Sequence, residues 1–178
     1  MSDVTIWAGS DLTTWGDNSH IEIIANQALI VSAEAQGVGN AKITSKGWLH
    51  LRGASVFQGG NVEGADNVWI NAARDVSIFG SVANAENNAS GTIDVRAGLS
   101  AIVQNTDTSG GARAAVSAAD LGFGSIYVLG LGKVISEGTI NLLAGVDVST
   151  DATASAGGQQ QKLTPVLSTE TVDTQVIV

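Results

Sequence analysis

The sequence GTIDVRAG at residues 91–98 recurs, with three changes, as GTINLLAG at residues 138–145. In both copies every second residue from the isoleucine onward is aliphatic or alanine, and an Ala-Gly pair closes the phrase. Alternation with a period of two is typical of a β-strand. The small residue at its end leaves room for the chain to bend into another strand. A repeated strand-and-bend phrase indicates a solenoid.

The phrase extends to a frame of nine places, with an aliphatic residue first, a small residue third and an aliphatic residue usually seventh. Seven segments fit this frame: residues 6–14, 23–31, 43–51, 70–78, 95–103, 128–136 and 142–150. Their third places are Ala8, Ala25, Ser45, Ala72, Ala97, Gly130 and Ala144. We expect one frame per coil. The prediction is therefore an all-β protein, a right-handed parallel β-helix of about seven degenerate coils.

Segments rich in Ala, Gly and Asn separate the frames and lack their aliphatic alternation. They cover residues 34–41, 58–67, 81–90, 105–119 and 151–161, and we interpret them as loop inserts. Residues 112–121 contain good helix formers between glycines, so a short helix is an alternative to a loop there. The resulting domain prediction is a β-helix over residues 1–161 and an extended tail strand over residues 162–178.

Composition limits the classes of partner. Hydrophobic residues make up 44% of the chain and mean hydropathy is +0.21, as expected of a folded domain. The net charge of −9 opposes binding to nucleic acid. No stretch approaches the roughly 20 apolar residues of a membrane span, so we expect no membrane insertion. Cysteine is absent, which excludes disulfides and thiolate metal sites.

Two tryptophans are candidates for a contact surface. Trp7 and Trp69 are sequence neighbours of Ile6 and Ile70, so they point outward if those isoleucines point inward. An exposed indole can stack on a sugar ring or contact a neighbouring subunit, which makes glycans of a host or matrix candidate partners. The alternative is that both side chains are covered by a long loop or an N-terminal cap.

No catalytic, cofactor or metal site is predicted. His20 and His50 are the only histidines and have no carboxylate or histidine at ligand spacing, so we expect both at the surface. Arg52, Arg74 and Arg96 are spaced by 22 residues but occupy different places relative to the frame. We therefore expect them not to stack into the basic ladder that a carbohydrate-active β-helix would use.

The tail has strand character without the frame. Val172, Val176 and Val178 are apolar within a segment of Thr, Asp and Gln. Such a strand either folds back along its own rod or pairs with the edge of a neighbouring subunit. We regard these valines as candidate residues for assembly through the tail.

The phrases IWAGSDL at residues 6–12, LLAGVDV at residues 142–148 and INAARDV at residues 70–76 resemble repeats of filamentous haemagglutinin and related large secreted bacterial exoproteins. The resemblance covers residues 4–150. It implies a fibrous β-helix at the cell surface or outside the cell, acting in adhesion or biofilm cohesion. No secretion domain of that family is visible, and the coil spacing is less regular than in its repeats.

Three functions remain open at this point. The first is a non-catalytic structural or adhesive module of an extracellular fibre or adhesin. The second is a filament subunit whose partner is itself, joined by stacked end coils or by the tail strand. The third is a carbohydrate-active β-helix, which would need a cleft with converging carboxylates.

Overall fold

A computed structural model describes residues 2–16, 19–35, 37–84, 90–100, 116, 121–150, 153–156, 159–162, 166–167 and 174–176. Within these ranges the chain forms strands, turns and bends, and no helix. The first ten strands are β1 (Val4–Ile6), β2 (Asp11–Thr13), β3 (Ile21–Ile24), β4 (Ala28–Val31), β5 (Lys42–Ser45), β6 (Leu49–Gly53), β7 (Ser55–Gln58), β8 (Asn61–Gly64), β9 (Asn67–Ala72) and β10 (Val76–Ile78). The others are β11 (Ser81–Asn84), β12 (Thr92–Ala97), β13 (Ser125–Val128), β14 (Lys133–Ser136), β15 (Thr139–Ala144), β16 (Asp147–Thr150), β17 (Thr153–Ala156), β18 (Gln159–Lys162), β19 (Val166–Leu167) and β20 (Thr174–Val176).

Successive strands join three sheets in rotation. Sheet A has the order β1-β4-β7-β10-β13-β16-β19, sheet B has β2-β5-β8-β11-β14-β17-β18, and sheet C has β3-β6-β9-β12-β15-β20. All pairings among β1 to β17 are parallel. Three consecutive strands therefore make one coil, and the chain is all-β with the stacked parallel sheets of a solenoid, as predicted. Its handedness stays a prediction.

The core consists of aliphatic side chains stacked in register. On sheet A the inward column is Val4, Leu29, Val56, Val76, Ile126 and Val148. On sheet C it includes Ile21, Leu49, Val68, Ile93 and Ile140. From the second coil onward these residues are buried. Each coil contributes only a few of them, so each depends on its neighbours for burial.

Small residues mark the corner from sheet C to sheet A, as predicted. Gly53, Ala72, Ala97 and Ala144 stand in one column at the ends of β6, β9, β12 and β15. All three alanines are buried. A larger inward side chain here would crowd the turn between two short strands.

The expectation of one frame per coil is wrong. The frame beginning at Ile6 crosses from sheet A to sheet B, the one at Ile43 crosses from B to C, and the one at Ile70 crosses from C to A. The frame describes a strand-corner-strand unit, which occurs at all three corners of a coil. The strands form five coils of three, from β1 through β15, followed by β16 and β17.

Three predicted inserts are also wrong, because residues 58–67, 81–90 and 151–161 contain strands of sheet B. These are β8, β11 and β17, together with β18 of the returning tail. β8 and β11 each bury one valine, Val62 or Val82, beside small or polar residues. A four-residue strand with one aliphatic residue has no detectable alternation, so it is easily taken for a loop. The proposed helix over 112–121 lies outside the described residues, apart from Val116 and Leu121.

The tail reverses the direction of the chain. β18, β19 and β20 pair antiparallel with β17, β16 and β15, respectively. The tail therefore retraces the end of the solenoid and supplies one strand to each sheet in cis. Val176 lies in β20 opposite Ile140, whereas Val172 and Val178 lie outside the described residues. The expected domain boundary at 161/162 falls within β18.

Candidate functional sites on the solenoid surface

In the part of the chain that the structure describes, no further strand covers the N-terminal end of the core. β1, β2 and β3 are each the terminal strand of their sheet. The inward aliphatic residues of this coil are only partly buried, whereas Leu29 and Leu49 in the next coil are completely buried. The partly buried set is Val4, Ile6, Leu12, Ile21 and Ile23. This end offers both apolar surface and unpaired backbone groups to another chain.

Trp7 lies at the corner after β1, close to this open end. Its side chain is 72% exposed, which agrees with the outward direction expected from its neighbour Ile6. Trp15, which follows β2, is also exposed. Whether Trp7 makes a functional contact stays a prediction.

Trp69 does not form an exposed contact surface, and that expectation is wrong. It points away from the core on the outer face of sheet C, yet it is only 4% exposed. Its ring centroid lies 5.6 Å from that of Trp48 and 6.2 Å from that of His50. Trp48 in turn stacks on His20 at 4.0 Å. Outward direction failed as a guide to exposure because this face of sheet C is itself buried.

The expectation that His50 lies at the surface is also wrong, because His50 is completely buried. Its Nδ1 lies 3.2 Å from Oε1 of Glu22, and its Nε2 lies 3.1 Å from Nδ2 of Asn71. A neutral imidazole has one donor and one acceptor nitrogen, so an Asn71 amide that donates to Nε2 is compatible with a proton on Nδ1 facing the carboxylate. This arrangement orients the imidazole, but its burial keeps a substrate away. His20 is exposed, as expected.

Two of the three arginines share a column, which their different places in the frame did not predict, but Asn71 lies between them. Arg52, Asn71 and Arg96 occupy one outward column on β6, β9 and β12, while Arg74 lies in the turn after β9. Arg96 is committed to an ion pair, since its Nε and Nη2 donate to the two carboxylate oxygens of Asp94 at 3.0 Å each. Arg96 and Asp94 are both buried, so this column is not an open basic ladder.

A shallow cavity of about 550 Å³ lies at the corner between sheets C and A. Its lining residues are Asp3, Asn26, Gln27, Ala28, Ala54, Ser55, Phe57 and Arg74. Phe57 is 43% exposed and provides an aromatic wall. Alternation beside the buried Val56 signals the outward direction of Phe57. Its meeting with Arg74 depends on coil register, which the sequence analysis did not resolve.

A second depression, of about 400 Å³, crosses the outer face of sheet B. It is lined by Lys42, Thr44, Asn61, Val62, Glu63, Ser81 and Ala83. No aromatic residue belongs to this lining. It therefore lacks the stacking surface that the cavity beside Phe57 offers.

Within the described ranges, no three His, Asp or Glu residues are placed to hold a metal ion. No helix in that part of the chain has the length and apolar character needed to cross a membrane. Comparisons with protein-family models, curated proteins and solved structures gave no match.

Proposed function

We propose that this protein is a non-catalytic structural and adhesive module of an extracellular fibre or cell-surface adhesin. The observation that carries the proposal is the uncovered N-terminal end of an otherwise continuous aliphatic core. Another solenoid coil is the natural cover for such an end, because it would extend all three sheets at once.

The construction suits a spacer that carries contact loops. Seven strands in sheet A give six spacings, so the stack measures roughly 29 Å at about 4.8 Å per strand. Backbone hydrogen bonds run from coil to coil, and the exposed side chains on the outer faces of sheets A and B are left to meet a ligand. Residues such as Trp7 and Phe57 stand on that outer surface.

A self-polymerising filament subunit is the second candidate, favoured by the same open end. Head-to-tail polymers need two complementary ends, however, and β18 to β20 already occupy the other end in cis. We therefore place the module first, with the filament restricted to a state in which the tail has moved.

The test combines microscopy and adhesion. Negative-stain images of the purified chain are expected to contain short single rods or end-to-end pairs. Beads coated with the chain are expected to attach to surfaces bearing matrix polysaccharide, and the polysaccharide is expected to stay uncleaved. Long uniform filaments would support the second candidate. Newly formed reducing ends or unsaturated products would replace the proposal with a carbohydrate-active enzyme.

A further inference from the structure

We propose that the cavity between sheets C and A binds a sugar that carries a carboxylate, within a chain of linked sugars. This inference rests on the proposed adhesive function and names the chemical class of its ligand. Four features support it: an aromatic wall, a guanidinium with no ion pair among the described residues, hydrogen-bonding side chains on the rim, and a second aromatic ring in the same column.

The aromatic wall is Phe57, which occupies the outward position between the buried Val56 and Gln58 of β7. Its ring is partly exposed at the surface of the rod, with the cavity beside it. The C–H face of a pyranose ring packs against an aromatic ring of this kind. Phe57 therefore gives the site a surface for a ring and not only for an ion.

The charge requirement comes from Arg74. Its backbone is held on both sides, since its N–H donates to Ala54 and its carbonyl oxygen accepts from Gly98. In the part of the chain that the structure describes, its guanidinium forms no ion pair or side-chain hydrogen bond. A guanidinium is planar and can bind a carboxylate through two parallel hydrogen bonds. Within the cavity, this guanidinium therefore favours a ligand that carries a carboxylate.

The rim supplies groups for hydroxyls. Asn26 and Ser55 offer an amide and a hydroxyl group beside the ring. Asp3 is held in place because one of its carboxylate oxygens accepts a hydrogen bond of 3.0 Å from the Ala28 N–H. Its other oxygen can accept from a sugar hydroxyl. A ligand with hydroxyls on one side and a carboxylate on the other matches both Asp3 and Arg74.

The column that contains Phe57 points to a ligand longer than one sugar. Phe57, Ser77 and Tyr127 follow one another on β7, β10 and β13. Phe57 and Tyr127 are therefore two strands apart, about 9.6 Å along the rod. A glycan lying along sheet A would meet a second ring at Tyr127, which itself lies between the inward Ile126 and Val128.

Calorimetric titration of the full chain with hexagalacturonate, and with cellohexaose as a neutral hexamer, tests the proposal. We expect the acidic hexamer to bind at least tenfold more tightly than the neutral one, because only the acidic hexamer offers carboxylates to the Arg74 guanidinium. Phe57→Ala and Arg74→Gln are each expected to weaken binding of hexagalacturonate at least tenfold.

Two matched controls separate the site from general surface effects. Phe79→Ala removes an aromatic ring of similar exposure, 46%, outside the cavity, and Lys133→Gln removes a cation from the outer face of sheet B. Both should bind like the original chain. Circular dichroism on all four variants checks that the fold is intact.

Binding of hexagalacturonate that survives both Phe57→Ala and Arg74→Gln would place the ligand elsewhere and overturn the proposal. Equal affinity for the two hexamers would refute the requirement for a carboxylate. If neither hexamer binds while coated beads still attach to polysaccharide surfaces, the sugar site fails and the adhesive function stands. If hexagalacturonate binds in this cavity and is cleaved, the site stands and the non-catalytic function fails.

Discussion

Gly80 shows how closely the coils approach one another at the corner before sheet B. Ala41, Gly60, Gly80 and Gly132 follow one another at this corner, one in each of four successive coils. A methyl group added at Gly80 would overlap the backbone of Gly59 and Gly60. Backbone cannot move aside as a flexible side chain can, so glycine is required here by space.

Gly80→Ala is therefore expected to lower the free energy of unfolding by about 3 kcal/mol, near the upper part of the usual range for overpacking. Chemical denaturation followed by circular dichroism measures this change. Gly16→Ala is the matched control, because a methyl group at Gly16 would meet no atom of the described residues within 4 Å, its chain neighbours aside. Its effect should stay within about 0.5 kcal/mol. Equal effects of the two substitutions would disprove the steric explanation.

Arg96 and Asp94 provide a second test at the level of single residues. Their side chains are only 10% and 11% exposed and are joined by two hydrogen bonds. Arg96→Met leaves the Asp94 carboxylate without this ion pair, at an expected cost of about 3–5 kcal/mol in the free energy of unfolding. The double variant Asp94→Leu/Arg96→Met should recover most of this loss, because it buries no unpaired charge.

The measurement is again chemical denaturation of the single and double variants. A double variant no more stable than Arg96→Met would mean that the pair contributes through its shape and its other contacts rather than through its charges. The same series also reports whether the outer face of sheet C is part of the cooperative unit.

At single residues, the alternation of the sequence predicted correctly whether a side chain points inward or outward, but it did not predict whether an outward side chain is exposed. Trp7 points outward and is exposed, and the corner alanines Ala72 and Ala97 are buried, all from alternation alone. Trp69 also points outward but is buried against Trp48 and His50. Cover over an outer sheet face depends on distant chain segments, which strand periodicity does not contain.

Among the elements, those of sheet C were easier to predict than those of sheet B. β9, β12 and β15 have six residues each, long enough for their alternation to be recognised. β8 and β11 have four residues and one inward valine each. The candidate cavity could not be predicted for a similar reason. Phe57 and Arg74 come together only because of the register between successive coils, which the sequence analysis did not resolve.

The tail strands lead to a prediction at the element scale. Truncation after Gly158 removes β18, β19 and β20 and exposes the edges of β17, β16 and β15. Open edges of this kind pair with other chains. We expect the truncated chain to form end-to-end polymers at micromolar concentration, whereas the full chain stays short. Sedimentation velocity and negative-stain microscopy distinguish the two.

Thr5→Pro in the truncated chain is the matched control. Ile6 accepts a hydrogen bond from Ser32 across the β1–β4 pair, so the backbone of the adjacent Thr5 faces the open edge. Proline there removes an edge donor without breaking that pair. Polymers should shorten or disappear. A truncated chain that remains monomeric would show that the tail does not act as an end cap.

Composition and the repeated phrase predicted the architecture of the whole molecule, but they did not predict the number of coils. Glycine-rich, aliphatic, cysteine-free sequence with a repeated strand phrase predicted stacked parallel sheets. Folding back of the tail along its own rod was one of the two alternatives that its strand character left open, and the antiparallel strands β18, β19 and β20 follow it. The strands they pair with could not be predicted, because residues 159–176 contain no frame.

The stacking direction of the coils has a mechanical consequence. The N-terminal strands lie at one end of the rod and the returning tail lies at the other, so tension applied to the two termini acts along the rod. Inter-strand hydrogen bonds point along the same axis. The load therefore breaks the hydrogen bonds between one pair of strands at a time and does not shear the hydrogen bonds of many strand pairs together. Each coil that peels away lengthens the tether: the 20 residues from Val56 to Val76 alone span up to roughly 70 Å when extended. Under strain, a rod of this kind yields gradually and keeps its remaining coils folded.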